Sequence, residues 1–348
     1  MRLEFYSSNW DMKRTMIGLA NEKLSTGVAG GTISVPPVFI VGVPRSGTTL
    51  LVNLLGHHPI LAPIYETRFL RNLLLLCEWC CWFYGNSLSR KSAKIFAEAW
   101  VRWRFQKVRE KYRSKAIAYN IIPAEGDGTK QSYESFPFGE SHCIAYTMEE
   151  LIRETDAWFD SLPKNDVTCE TFYSSARGYV DRLFSIHCAR MKKPHWVNKT
   201  PGLLTYTDLL AKLYPGSRCI HILRDGRDVA MSNISLGWGP RTVRAAARRW
   251  KSLIQRGRQG ARSAQLSYTE LLYEDLVRSP REALKRITRF LTIEDCLDEI
   301  LSQFKVSKER TEVWRSRFSQ AERRVFAQEA GDLLVELGYE TDYSWVER

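Results

Sequence analysis

The chain has 348 residues, of which 44% are hydrophobic and 26% charged, and a net charge of +12. Such a chain can bury a large core and need not be disordered. No apolar run reaches the ~18 residues of a spanning helix, and the mixed-charge residues 1–20 do not read as a secretory signal, so a cytoplasmic location is expected.

In chain order, residues 28–37 carry glycines and two prolines and read as a linker, which makes 1–37 an N-terminal segment and 38–348 a single domain. Residues 38–43 predict a buried strand, 47–56 a helix, 60–64 a short apolar run, and 68–194 a helical insertion. Inside the insertion Ala176, Tyr179, Val180, Leu183, Phe184 and His187 recur at three- and four-residue spacing, the core-facing stripe of a helix. Further strands are expected at 195–197, at 219–223 and within 265–273. The alternation predicts an α/β fold: a P-loop-like parallel sheet flanked by helices, with right-handed crossovers and a large helical insertion after the first βαβ unit.

Two strand tips carry the chemistry. Residues 38–51 read VFIVGVPRSGTTLL, with Gly42 and Gly47 at the spacing of a phosphate-binding loop, where backbone N–H groups at a helix N-terminus face an anion. Where a nucleotide hydrolase has lysine this chain has Thr48 and then Thr49, and the nearest cation, Arg45, lies inside the loop. Residues 218–232 read RCIHILRDGRDVAMS, a strand ending at Arg224 and a helix opening at Asp225, with Asp225 and Asp228 spaced as a capping pair. Arg224 and Ser232 can converge on a second anion. Two anion sites suggest a ligand with two separated anionic groups.

Those segments resemble the sulfotransferases that use 3′-phosphoadenosine 5′-phosphosulfate (PAPS). The resemblance implies that Pro44, Arg45, Ser46, Gly47, Thr48 and Thr49 bind the 5′-phosphosulfate, that Arg224 and Ser232 bind the 3′-phosphate, and that 3′-phosphoadenosine 5′-phosphate (PAP) is the product, with no metal. Residues 197–201, VNKTP, are similar to the N-K-x-P element of the protein-tyrosine branch, which implies that Lys199 lies near the bridging oxygen of the leaving group. Tyr273 matches the tyrosine of the family's Y-E-D-L segment beside the nucleotide, and 314–340 look like the closing segment of bacterial members.

Sulfuryl transfer also needs a base to take the acceptor's proton. Glu66 is the candidate, because an E-T-R sequence stands there in the tyrosine-specific branch; Glu66 then acts as base and Arg68 as an acceptor-site cation. Glu66 could instead cap the following helix, and His142 or His195 are weaker candidates for the base. His57 and His58 are adjacent and cannot face one metal from a helix.

The charge is uneven. Residues 241–262 hold seven arginines and Lys251 with no acidic residue, and 100–115 carry four arginines and three lysines against tryptophans. Such helices suit either a basic rim over the core or peripheral contact with an anionic membrane. The apolar content of 68–194 alone points to an amphipathic or lipid-linked hydroxyl as acceptor; peptide tyrosine O-sulfation is the alternative, a P-loop nucleotide kinase a more distant one, and no nucleic-acid partner is expected. The eight cysteines, with no secretory signal, read as reduced thiols.

Overall fold

The computed structural model describes residues 35–85, 146, 148–161, 168–235, 239–302 and 311–347, all within one compact unit, Val35–Arg348. Residues 100–115, 121–139 and His142 lie outside the described residues.

Strands β1 (Val38–Gly42), β2 (Leu61–Tyr65), β3 (His195–Lys199), β4 (Arg218–Leu223) and β5 (Ser267–Leu272) form one sheet in the order β2-β3-β1-β4-β5. Every pairing is parallel. The described helices are α1 (Thr48–Gly56), α2 (Arg68–Gly85), α3 (Met148–Ser161), α4 (Cys169–Met191), α5 (Thr207–Leu213), α6 (Gly226–Ile234), α7 (Val243–Ser263), α8 (Tyr273–Arg278), α9 (Pro280–Leu291), α10 (Leu297–Ser302), α11 (Trp314–Arg317) and α12 (Gln320–Glu336).

β1 is central and wholly buried, as expected of a parallel strand covered on both faces. Its side chains alternate between two cores. Val38 and Ile40 pack with α1, α8, α9 and α10, whereas Phe39 and Val41 pack with α2, α4, α5, α6, α7 and α12. The predicted stripe of α4 faces this second core: Ala176, Tyr179, Val180, Leu183, Phe184 and His187 are all buried, and His187 Nε2 sits 2.9 Å from the Pro63 carbonyl oxygen. Pro63 is tolerated in β2 because β2 is an edge strand and need not donate on its open side.

Two expectations need correction. Cys81 and Cys169 form a disulfide that ties the end of α2 to the start of α4, so these two are not reduced thiols. Cys77, Cys80, Cys188 and Cys219 are buried thiols, and burial pushes Cys80 up to about 12 and Cys188 to about 11. Secondly, the basic face of α7 has partners within the chain. Arg244 and Arg248 pair with Glu329, Lys251 with Asp332 at 2.6 Å, and Arg258 with Glu336, all from α12. Arg227 and Asp228 of α6 have partners elsewhere in the chain. Buried Arg227 pairs with Asp225 and Glu340 between the rings of Trp314 and Trp345, and Asp228 accepts the backbone N–H groups of Glu312 and Trp314. Together they fasten the C-terminal segment to α6.

Candidate active site

In a parallel sheet the carboxyl ends of the strands lie on one edge, and loops leaving that edge near a switch in strand order form a crevice. The loop after β1 occupies that edge between the tips of β3 and β4. Ser46 N–H donates to the Val43 carbonyl at 3.0 Å, and Arg45 and Gly47 take positive φ of 79° and 93°. A side chain at Gly47 would meet Tyr273 Cδ2 at 2.3 Å, so glycine is required there by both conformation and space. α1 follows with no side-chain cap and no acidic residue in its first turn. Its leading N–H groups and positive dipole end therefore face the crevice without a counter-charge of their own. The Ser46 hydroxyl is buried with no hydrogen-bond partner among the described residues. An uncapped helix start and an orphaned buried hydroxyl fit a bound anion.

The second predicted site lies against the first. Arg224, directly after β4, donates from Nη1 to the Arg45 carbonyl at 2.9 Å, and Arg45 Nε donates to Ser232 Oγ at 2.8 Å. The Arg224 guanidinium also lies 4.7 Å from the centroid of the Tyr273 ring. Thus Pro44 to Thr49, Arg224, Ser232 and Tyr273, drawn from the tips of β1, β4 and β5, converge. Asn233 adds a contact that sequence reasoning missed: its Nδ2 donates to the Pro44 carbonyl at 3.3 Å. Its place beside Ser232 was the available signal. The expected capping pair is half present. Asp225 accepts the Arg227 N–H at 2.8 Å, but the Asp225 N–H donates to Glu274 while Asp228 turns to the C-terminal segment.

On the other side of β1, β3 ends at Lys199 and β2 at Tyr65. Glu66 follows with φ 26°, a left-handed conformation that costs an ordinary residue roughly 1–2 kcal/mol. Its N–H donates to the Lys199 carbonyl at 2.7 Å, and its carboxylate accepts from Lys199 Nζ at 3.0 Å rather than turning to cap α2. The lysine side chain is 4% exposed and the glutamate 39%. Burial pushes the Lys199 ammonium below its ordinary range, and the Glu66 carboxylate offsets that only in part. Arg68 is the first residue of α2.

His195 belongs elsewhere. It opens β3 while Lys199 closes it, which puts it roughly 13 Å away at ~3.3 Å per residue, on the opposite edge of the sheet. His58 is likewise structural, its ring bonded to the Glu294 carbonyl at 3.0 Å. Among the described residues no group of three or more His, Cys, Asp or Glu side chains could hold a metal ion, and no helix is long and apolar enough to cross a membrane.

Comparison with known proteins gives the same direction. A family model described as "Sulfotransferase family" matches residues 36–120 and 128–299. Protein-tyrosine sulfotransferase A of Caenorhabditis elegans is 24% identical over 265 residues, covering 74% of this chain and 50% of that protein. The chain spans half the length, or less, of the curated relatives it matches. Among solved structures, the sulfotransferase domain of the Synechococcus PCC 7002 olefin synthase aligns over 86% of this chain and 94% of its own, at 17% identity and a TM-score of 0.45. Sulfotransferase STF9 of Mycobacterium avium aligns over 85% and 76%, at 16% identity and a TM-score of 0.41.

Proposed function

The chain belongs to the sulfotransferase family, and from that premise we propose that it moves the sulfuryl group of PAPS to an acceptor hydroxyl, releasing PAP. The observation that carries this reading is the two-way link through Arg45, whose Nε reaches Ser232 and whose carbonyl receives Arg224. Two anion-binding tips joined in this way suit one ligand with an anionic group at each end.

In this reading the loop N–H groups, Ser46, Thr48, Thr49 and Arg45 hold the phosphosulfate, Arg224 and Ser232 the 3′-phosphate, and Tyr273 packs near the nucleotide. Glu66 takes the proton as the acceptor oxygen attacks sulfur in line, and Lys199 and Arg45 face the charge that grows on the departing phosphate. Arg68 serves the acceptor. The segment 68–194 builds the acceptor side of the domain 38–348. A nucleotide kinase is disfavoured, since Thr48 stands where its lysine would.

The acceptor is a second question. An amphipathic or lipid-linked hydroxyl was favoured by apolar content, but Phe69, Leu70, Leu73, Leu74, Leu76, Cys77 and Cys80 of α2 are buried in the core and so explain that content otherwise. Four of the eight basic residues of 241–262 pair with α12, which favours the basic rim over peripheral membrane contact. A relative's name and Glu66-Thr67-Arg68 favour a peptide tyrosine. The Cys81–Cys169 disulfide, a bond typical of oxidising compartments, counts against the cytoplasmic location.

Calorimetric titration tests the donor: PAP should bind tightly without metal, and ATP weakly. The reverse order would remove the reading. Incubation with PAPS and either tyrosine peptides or hydroxyl-bearing lipid vesicles then tests the acceptor, through a product one sulfo group heavier.

A further inference from the structure

Between the tips of β2 and β3, immediately behind Glu66 and Lys199, three buried polar side chains close a ring. Asn198 Nδ2 donates to Thr67 Oγ1 at 2.9 Å, and Thr200 Oγ1 donates to Asn198 Oδ1 at 3.0 Å. The two threonine hydroxyls are 3.1 Å apart. Because the single Thr200 hydroxyl hydrogen goes to Asn198, the Thr67 hydroxyl must donate to Thr200, and the direction of the ring is complete. The backbone N–H of Thr67 also donates to Thr200 Oγ1 at 3.0 Å. Asn198 and Thr67 are 0% and 1% exposed and Thr200 is 8% exposed, so water does not compete for these bonds.

The ring spans the residues flanking the proposed reacting pair. Thr67 follows Glu66, and Asn198 and Thr200 bracket Lys199. Glu66 sits at a positive φ that its own side chain does not favour, so something outside it must hold that conformation. The Lys199 carbonyl fixes the Glu66 N–H, and Thr200 Oγ1 fixes the next N–H along. Two successive backbone donors are thereby pinned to β3, which fixes the direction in which the Glu66 side chain leaves the chain. That direction is toward Lys199 Nζ.

We propose that Thr67, Asn198 and Thr200 are positioning residues: their closed hydrogen-bond ring holds Glu66 in its strained conformation and sets the geometry of the Glu66–Lys199 pair for proton removal. This rests on the sulfotransferase reading above and assigns work to three residues outside the donor and acceptor sites proposed there. A cooperative ring of this kind is rigid because each hydroxyl both donates and accepts, so loss of one vertex unsatisfies its neighbours.

The test is a mutant cycle with the isosteric Thr67→Val, read against Glu66→Gln, using an acceptor on which the wild-type chain is active. Thr67→Val should lower kcat at least ~10-fold, since an ångström-scale misplacement of a reacting group costs up to ~10²-fold. The KM for PAPS and the Kd for PAP should stay within about twofold, and Thr67→Ser, which keeps the hydroxyl, should recover most of kcat. The decisive reading is coupling: Thr67→Val added to Glu66→Gln should lower kcat no further, because the ring acts through Glu66. Multiplying effects, or full activity in Thr67→Val, would overturn the proposal. Should Thr67→Val not fold, Thr200→Val opens the ring from its other side and the same cycle decides. A wild-type chain that neither binds PAP nor transfers a sulfo group would instead sink the functional reading, and the two failures are told apart by that control.

Discussion

Arg224 donates to the carbonyl of Arg45, 179 residues earlier in the chain, at 2.9 Å. This one bond joins the tip of β4 to the loop after β1 and makes a single crevice of two anion-binding segments. Arg224 is nearly buried, with Asp228 at 3.8 Å and the Tyr273 ring beneath it. Asp228 offsets part of the cost of holding a cation there, and an anionic ligand would offset more of it.

Arg224→Ala should therefore weaken PAP binding by roughly 10- to 100-fold, on the basis of ~1.5–3 kcal/mol for a hydrogen bond to a charged group. At saturating donor, kcat should change only a few-fold, because the 3′-phosphate is remote from the reacting sulfur. Calorimetry and steady-state kinetics measure the two quantities. Unchanged affinity would detach Arg224 from the donor.

Lys199 leads to a prediction about alkaline pH. Burial lowers its pKa, so the folded chain releases this proton at lower pH than the ~10.4 of an ordinary lysine. If Lys199 must carry charge to face the departing phosphate, kcat falls as pH rises through that lowered value. Stability moves the other way. Between the lowered value and ~10.4 the unfolded chain binds the extra proton, so Lys199's own contribution to stability rises with pH. Lys199→Arg, charged throughout, should shift the alkaline limb of the kcat profile upward; an unmoved limb would assign it to another group.

Reducing the chain tests the disulfide. The two cysteines are separated by 88 residues, and closing a loop of that size stabilises a fold by about 2–4 kcal/mol in typical cases. Cys81→Ser should lower the midpoint of chemical unfolding accordingly, and mass spectrometry of the alkylated native protein should find Cys81 and Cys169 protected. Alkylation of both without reduction would restore the reading of reduced thiols.

What could be read from the sequence follows the range of the interaction responsible. The loop from Val43 to Gly47, the strand before it and the helix after it are specified by residues within a few positions of one another, and so was the stripe of α4. The tip at Arg224 was equally local. The pairing of α7 with α12 depends on residues such as Arg248 and Glu329, 81 positions apart, and a basic stripe seen alone resembles a membrane face. Likewise Cys81 carries no local mark of its partner Cys169. The ring behind Glu66 was hidden for the same reason: Thr67 and Asn198 are 131 residues apart and become neighbours only when β2 pairs with β3.

The last prediction concerns acid. His221 is fully buried on β4, its Nδ1 2.5 Å from the Tyr268 hydroxyl and 3.4 Å from Glu270, while Arg258 clasps Glu270 with two bonds of 2.7 Å. Burial lowers the His221 pKa, with Glu270 opposing and Arg258 assisting. For Glu270, burial alone would raise the pKa, but hydrogen bonds from Arg258 and then His221 outweigh it and hold it at about 2. Both signs agree. His221 is neutral in the fold and gains a proton more readily when unfolded, so its contribution is lost as pH falls below the ordinary histidine value of ~6.5. The Glu270 contribution is full above the ordinary glutamate value of ~4.3 and is lost as pH falls from there toward about 2. Unfolding free energy measured against pH should thus decline in two stages, and His221→Phe should flatten the upper stage while only shrinking the lower one, because Arg258 still holds Glu270 down. A single decline beginning only below pH ~4, in wild type and variant alike, would show that His221 does not couple protonation to folding.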